Sequence, residues 1–161
     1  MRCVALYIFF IVLVNYAFDV VPLLSLPGGE LWSPVALIVG LVFVTRDYAQ
    51  RAIGHMVLPA MLLGGVISWF MATPVIAVAS VCAFAVSELT DWAVYTITKR
   101  PFSQRILLSS AISTPVDSIV FLGMVGLFSV PAALIMTVSK MVGAVAVFYL
   151  VRRRELAAAA A

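Results

Sequence analysis

Long apolar runs separated by short polar turns constrain this chain more than any other feature of its sequence. The runs approach 20 residues, the length that an α-helix needs to cross the hydrocarbon core of a membrane. Of the 161 residues, 65% are hydrophobic and only 11% are charged, whereas a typical soluble domain has about 25% charged residues. A soluble core of this size cannot bury so much apolar surface. We therefore expect an all-α membrane protein.

The apolar runs predict six transmembrane helices that form a single domain, residues 1–155. The predicted spans are residues 3–21, 34–53, 56–73, 75–98, 106–128 and 130–151. Turn-forming residues separate them, among them Pro27-Gly28-Gly29, Gly54-His55 and Thr73-Pro74. The first run has no small-residue cleavage site and is interpreted as a retained helix. Residues 156–161, mostly alanine, are interpreted as a tail or an expression scar.

The basic residues outside the spans predict the orientation of the helices. They occur in alternate connections, at Arg2, Arg51 with His55, residues 99–105 and residues 152–154. Residues 22–33, 73–75 and 128–131 contain no Lys or Arg. Because cytoplasmic loops are enriched in these residues, we expect a multi-pass protein of the bacterial inner membrane with both termini in the cytoplasm. The basic clusters form no continuous face, which argues against binding to nucleic acid.

Four polar side chains are predicted to lie at one depth. Counting 1.5 Å per residue places Asn15, Glu88, Asp117 and Lys140 near the middle of a core about 30 Å thick. A charged group at that depth costs about 2.5–3.5 kcal/mol on insertion scales. A shared polar cavity explains the common depth and indicates transport of a small solute. The alternative is a set of structural ion pairs, Lys140 with Asp117 or Glu88 and Arg46 with Asp91.

The fourth span carries a candidate recognition face. Glu88, Asp91, Trp92 and Tyr95 recur at helical spacing and therefore share one side of the helix. A carboxylate accepts two parallel N–H bonds, and an indole offers a flat surface for stacking. This combination suits a planar heterocycle with an amidine-like donor edge, such as a guanine-type base. Tyr95 lies closer to the membrane edge, where we expect it in the interfacial aromatic belt.

The fifth span combines hydroxyl side chains with a proline beside Asp117. Pro115 lacks a backbone donor and leaves a carbonyl free one turn earlier. Within a membrane such a break is tolerated where it faces protein or a wet cavity. The segment around Ser113 and Asp117 is therefore a candidate ligand-binding hinge. The alternative is a simple kink satisfied by the neighbouring hydroxyls.

These polar motifs resemble those of the VUT family, the YhhQ-type transporters of queuosine precursors. Four stretches carry the resemblance: Val44-Thr45-Arg46-Asp47-Tyr48-Ala49-Gln50-Arg51 with Gly54, Ser87-Glu88-Leu89-Thr90-Asp91 with Val94-Tyr95, Ser113-Thr114-Pro115-Val116-Asp117-Ser118 with Phe121, and Lys140. They occur in the family's order and span most of the chain. The chain departs from the family pattern at Thr114-Pro115, where members show Gly-Asn.

The resemblance implies a fold, a cargo and a set of binding residues. The fold is a compact bundle similar to the substrate-binding subunits of energy-coupling-factor vitamin transporters. The cargo is 7-cyano-7-deazaguanine or a related 7-deazapurine. The residues implied to bind it are Glu88, Asp117 and Lys140, with Asn15, Arg46 and Asp91 in support.

Other functions and partners stay open as alternatives. One alternative is a substrate-binding subunit of an ATP-driven importer. The chain contains no GxxxxGK[ST] motif of its own, so this alternative requires an external ATPase module. The first span of the chain also lacks the AxxxA pattern through which such subunits dock, which favours independence. A membrane-embedded enzyme is disfavoured, because the sequence has no HExxH motif and one histidine, and we expect no catalytic residue, metal or cofactor. Six helices are few for alternating access, which makes a homodimer a partner to consider.

Overall fold

Six α-helices make up most of the structure, a computed structural model that describes residues 2–26, 29–71 and 74–159. The helices are α1 Arg2–Val20, α2 Ala36–Ile53, α3 Val57–Met71, α4 Pro74–Ile97, α5 Phe102–Met124 and α6 Val130–Ala159. Parts of the predicted turns, Pro27-Gly28 and Thr73, lie outside the described residues, as do residues 160 and 161. The helix α6 continues through the first residues of the predicted tail.

The burial pattern is the reverse of that of a soluble protein. Large apolar side chains face outward, with Leu62 72% and Phe70 82% exposed, whereas Arg46, Asp47 and Asp91 are completely buried. Lipid tails solvate apolar side chains but not charged ones. This pattern is that of a multi-pass membrane protein whose outer surface contacts lipid.

Five helical stretches of the described chain are long and apolar enough to cross a membrane. One of them, Ala36–Met71, contains both α2 and α3, because a single 3-10 turn, Gly54–Met56, joins the two helices. Gly54 ends α2 with a φ of 61°, a left-handed conformation that glycine adopts without steric cost. The helix α3 has 15 residues, about 22 Å. By length and composition the structure therefore supports five crossing stretches, where the sequence predicts six.

The helices α2 and α6 approach each other closely at two glycines. A Cβ added to Gly40 would overlap the backbone oxygen of Lys140, and one added to Gly143 would lie 3.4 Å from the backbone carbon of Gly40. The contact brings the backbone of Lys140 against α2. Gly40 and Gly143 therefore position Lys140 relative to the polar residues of α2.

A short β-hairpin in the connection after α1 adds to the predicted all-α fold. Its strands, β1 Leu24–Ser25 and β2 Leu31–Trp32, pair antiparallel. Trp32 Nε1 donates a hydrogen bond of 2.8 Å to Ser139 Oγ on α6. Ser129 Oγ donates one of 2.8 Å to Glu30 Oε1. The hairpin is thus tied to the start of α6, next to Lys140.

Candidate functional site

A cavity of about 100 Å³ lies inside the bundle and is lined by residues of all six helices. The four polar residues predicted at one depth, Asn15, Glu88, Asp117 and Lys140, all line it. The remaining lining side chains are polar at two positions and otherwise apolar: Ile11, Val14, Phe18, Val39, Val42, Phe43, Ser68, Ser80, Ala83, Phe84, Phe121 and Met136. The structure therefore brings together four residues that are far apart in the sequence.

The cavity lies toward one end of the bundle. Its lining comes from the second halves of α1, α3 and α5, the first halves of α2 and α6, and the first half of α4 up to Glu88, just beyond its middle. Such a lining requires consecutive helices to alternate in direction. The helices α2 and α3 therefore run in opposite directions, despite the single turn between them. The connections at the cavity end are those without Lys or Arg.

Lys140 and Asp117 form an ion pair in the cavity wall. Lys140 Nζ lies 2.5 Å from Asp117 Oδ2 and 3.1 Å from Ser118 Oγ. The other carboxylate oxygen of Asp117 accepts a hydrogen bond of 2.9 Å from Ser87 Oγ on α4. This pairing is one of those that the ion-pair alternative predicted, and it occurs within the cavity.

A second charged cluster lies next to the cavity, toward the opposite end of the bundle. It is centred on Arg46, which is completely buried. Its guanidinium contacts Asp91 Oδ2 and Gln50 Oε1 directly, and its Nη2 lies 3.2 Å from Asp47 Oδ1. Asp47 Oδ2 also accepts a hydrogen bond of 3.0 Å from Ser109 on α5. The predicted Arg46–Asp91 pair is therefore present, but one guanidinium serves more than one carboxylate. We refer to Arg46, Asp47, Gln50, Asp91 and Ser109 as the Arg46 cluster.

Glu88 connects the cavity with the Arg46 cluster. Its side chain is 1% exposed, and its Oε2 lies 3.6 Å from Arg46 Nε. Tyr7 OH on α1 donates a hydrogen bond of 3.0 Å to the same Oε2. Glu88 is thus held by one oxygen, while the other, Oε1, is buried without a hydrogen-bond partner among the described residues.

Asn15 is fixed at the opposite side of the site by two hydrogen bonds. Its Nδ2 donates to Ile11 O at 2.8 Å, one turn earlier in α1, and to Ser68 Oγ on α3 at 3.0 Å. The second bond is a polar tie between α1 and α3. Asn15 therefore lines the cavity with its amide orientation set by both helices.

Four of the predicted site residues lie outside the cavity lining. Arg46 and Asp91 belong to the Arg46 cluster, and Ser113 is completely buried with a hydroxyl that has no partner among the described residues. Trp92 is turned away, and its Nε1 donates a hydrogen bond of 3.2 Å to His55 Nδ1 in the turn between α2 and α3. The indole therefore offers no stacking surface inside the cavity of this structure.

The expectation that Tyr95 belongs to the aromatic belt is wrong. Tyr95 is only 3% exposed. The guanidinium of Arg105 lies 3.8 Å from the centre of its ring and donates two hydrogen bonds to its backbone oxygen. The ring is buried because α5, which begins at Phe102, packs against the end of α4. When α4 is considered alone, this side of the helix is expected to face lipid.

Several residues of the site were not found by sequence reasoning. Tyr7 was missed although it lies two helical turns before Asn15, at positions 7, 11 and 15 of one face. Phe84 and Phe121 line the cavity; nothing in the local sequence distinguishes Phe84 from a lipid-facing residue, whereas Phe121 belongs to a motif of the family resemblance but was not predicted to bind. Ser87, in another of these motifs, was not predicted to bind either, yet it donates a hydrogen bond to Asp117.

No curated protein and no solved structure matches the chain. A family model does match it, over residues 3–152. The match covers all six helices and every residue of the cavity lining. The chain therefore belongs to the family described as "Putative vitamin uptake transporter".

Proposed function

We propose that this protein imports a queuosine precursor, 7-cyano-7-deazaguanine or a related 7-deazapurine, through the cavity. The observation that carries the proposal is the convergence of Asn15, Glu88, Asp117 and Lys140 on one cavity of a protein from an uptake family. Charged residues inside a membrane protein are rare and typically mark a solute or ion path.

The hydrogen-bonding groups of a deazaguanine match those of the cavity. Its base edge combines N–H donors with a ring carbonyl, so it needs both acceptors and a donor. Glu88 and Asp117 supply acceptors, and Lys140 supplies a donor. Asn15, whose amide N–H groups bind Ile11 and Ser68, presents its carbonyl oxygen as a further acceptor. Phe84 and Phe121 add aromatic faces against which a planar ring can pack.

The size of the cavity indicates that it must widen for the cargo. A volume of about 100 Å³ is room for about three water molecules, whereas pockets for small organic ligands measure roughly 300–1,000 Å³. The Lys140–Asp117 pair occupies part of the polar wall. We infer that the cargo separates this pair and takes up its hydrogen bonds.

The proposal includes a topology of six crossings in the bacterial inner membrane with both termini in the cytoplasm. The alternating helix directions support six crossings, and the absence of Lys and Arg from the connections at the cavity end supports an outward-facing cavity. The Arg46 cluster then lies between the cavity and the cytoplasm.

The alternative proposal is a substrate-binding subunit that needs an external ATPase module, since the chain contains no GxxxxGK[ST] motif of its own. The two proposals share the cavity and differ in the energy source. Transport by this chain alone, in a host without such a module, would decide for the first. Either form is compatible with a homodimer.

The test is uptake of labelled 7-cyano-7-deazaguanine by cells that neither make nor otherwise import it. We expect uptake with the wild type and a loss of at least about tenfold with Asp117→Asn and Lys140→Ala, because each leaves a buried partner unpaired. Asp19→Asn and Lys99→Ala are matched controls at exposed positions and should transport normally. Absence of wild-type uptake would refute the cargo, and full activity of both cavity variants would refute the site.

A further inference from the structure

The interior of the bundle contains more carboxylates than cations. Among the described residues, the fully buried cationic side chains are Arg46 and Lys140, and the carboxylates beside them are Asp47, Glu88, Asp91 and Asp117. Part-buried Arg105 binds the backbone oxygen of Tyr95. Lys140 and Asp117 pair with each other at the cavity wall. This leaves the single guanidinium of Arg46 to serve three carboxylates.

Three ionised carboxylates around one guanidinium leave two negative charges without a counterion. A buried charge without a partner is so unfavourable that the group neutralises itself by taking up a proton. Like charges that share a site add to this effect, because one carboxylate then holds its proton more tightly. The geometry of the three carboxylates decides which of them carries the proton.

Asp91 and Asp47 lie closer to Arg46 than Glu88 does, although Asp47 Oδ1 and both oxygens of Asp91, like Glu88 Oε1, have no hydrogen-bond partner among the described residues. Asp91 contacts the guanidinium directly, and Asp47 lies 3.2 Å from it and accepts a hydrogen bond from Ser109. Glu88 lies farthest from Arg46, at 3.6 Å. It is also the only one of the three that lines the cavity.

The surroundings of Glu88 leave one oxygen for a proton. Tyr7 OH binds Oε2, while Oε1 has no partner among the described residues. The helix α3 has no titratable residue in its sequence. The charged and titratable groups that share the Arg46 guanidinium, the cavity or a hydrogen bond with Glu88 are Tyr7 on α1, Arg46 and Asp47 on α2, Asp91 on α4, Asp117 on α5 and Lys140 on α6.

We propose that Glu88 binds a proton on Oε1 and that import of the cargo is coupled to entry of this proton. The inference rests on the proposed transport function. One O–H bond forms when the proton arrives from the outside with the cargo, and the same bond breaks when both leave toward the cytoplasm. A neutral Glu88 still accepts an N–H of the cargo through Oε2 and donates Oε1–H to its ring carbonyl. After release, the nearest cation to the ionised side chain is Arg46, 3.6 Å away and shared with Asp47 and Asp91.

The protonation itself can be tested without transport. Infrared spectroscopy of the purified protein in lipid bilayers detects the carbonyl stretch of a protonated carboxyl group. We expect this band near neutral pH in the wild type, a weaker band in Glu88→Gln, and a band of wild-type strength in Asp91→Asn and Asp117→Asn. A wild type without the band, or a band in Glu88→Gln as strong as that of the wild type, would overturn the proposal.

The coupling is tested with wild-type protein reconstituted in lipid vesicles and labelled 7-cyano-7-deazaguanine. For one proton per cargo molecule, an imposed pH gradient, acid outside, should raise accumulation up to about tenfold per pH unit. A protonophore should abolish the increase. Equal uptake with and without the gradient would overturn coupling while leaving the transport proposal intact. Absence of uptake under both conditions would refute the transport proposal, and coupling with it, so the two failures are distinguishable.

Discussion

Single residues of the interior act through their partners. Lys140 and Asp117 form an ion pair in the cavity wall, with side chains that are 2% and 15% exposed. Removing one member of a buried ion pair leaves the other charge uncompensated, which typically costs about 3–5 kcal/mol, whereas replacing both is often neutral. The pair as a whole therefore adds little net stability, although each member depends on the other.

Single replacements of the pair should destabilise the protein more than the double replacement does. We expect Lys140→Met and Asp117→Asn each to lower thermal stability in detergent, with a partial recovery in the double variant. Asp19→Asn and Lys99→Met, both at exposed positions, serve as controls with little effect. Losses that simply add in the double variant would show that the two side chains do not interact.

The sequence predicts the members of the site better than it predicts their contacts. The depth of Asn15, Glu88, Asp117 and Lys140 follows from counting residues along each helix, and all four line one cavity. The depth of a residue in the membrane does not tell how its helix is rotated about its own axis, and hence which neighbour the side chain faces. The side on which Trp92 lies and the burial of Tyr95 therefore depend on how neighbouring helices pack, which a single helical face does not reveal.

The packing of elements depends on small residues and on helix ends. Gly40 allows α2 to contact the backbone of Lys140, and Gly143 allows the reverse approach. At the other end of α6, Glu155 accepts hydrogen bonds from the backbone N–H of Ser103 at 3.2 Å and from its hydroxyl at 2.6 Å. A carboxylate at the first turn of α5 satisfies a free N–H and the helix dipole.

A methyl group at Gly40 should push α2 and α6 apart. Overpacking of this kind typically costs about 1–3 kcal/mol, and it would also displace Lys140 from Asp117. Gly123→Ala on α5 is the matched control, since nothing lies within 4 Å of its added Cβ. We expect Gly40→Ala to unfold at a lower temperature than the wild type and Gly123→Ala to unfold at the same or a higher one. Equal stability of the two variants would contradict the close contact.

The contact between Glu155 and Ser103 predicts that the end of α6 stabilises the start of α5. Loss of a capping interaction costs about 0.5–2 kcal/mol, so Glu155→Ala should lower the unfolding temperature. Leu156→Ala, at a neighbouring position that is 62% exposed, is the control. If both replacements have the same small effect, Glu155 does not cap α5 in the membrane-embedded protein.

The whole molecule is a bundle whose interior is polar at the cavity and at the Arg46 cluster and whose surface is apolar. The membrane setting follows from composition alone, because no soluble fold can present such side chains to water. The number of crossings does not follow from composition, because only a single turn, Gly54–Met56, separates α2 from α3. Only the shared cavity, lined by the start of α2 and the end of α3, indicates that the chain reverses there.

Reaction of single cysteines with a membrane-impermeant thiol reagent tests this reversal. After replacement of Cys3 and Cys82 by serine, we expect cysteines at His55 and Arg100 to react in inverted vesicles and one at Leu127 to react in intact cells. If Ala36–Met71 crossed the membrane once, position 55 would lie within the bilayer. A cysteine there that stays unreactive from both sides, while position 100 reacts, would contradict six crossings.

Binding of labelled 7-cyano-7-deazaguanine to the purified protein in lipid nanodiscs tests the central claim most directly. The account predicts saturable binding at one site per chain, weakened about 10- to 100-fold by Asp117→Asn, which removes a charged acceptor from the cavity. Asp19→Asn should bind as the wild type does. Absence of saturable binding to the wild type, or equal affinity of wild type and Asp117→Asn, would contradict a purine-like cargo in this cavity.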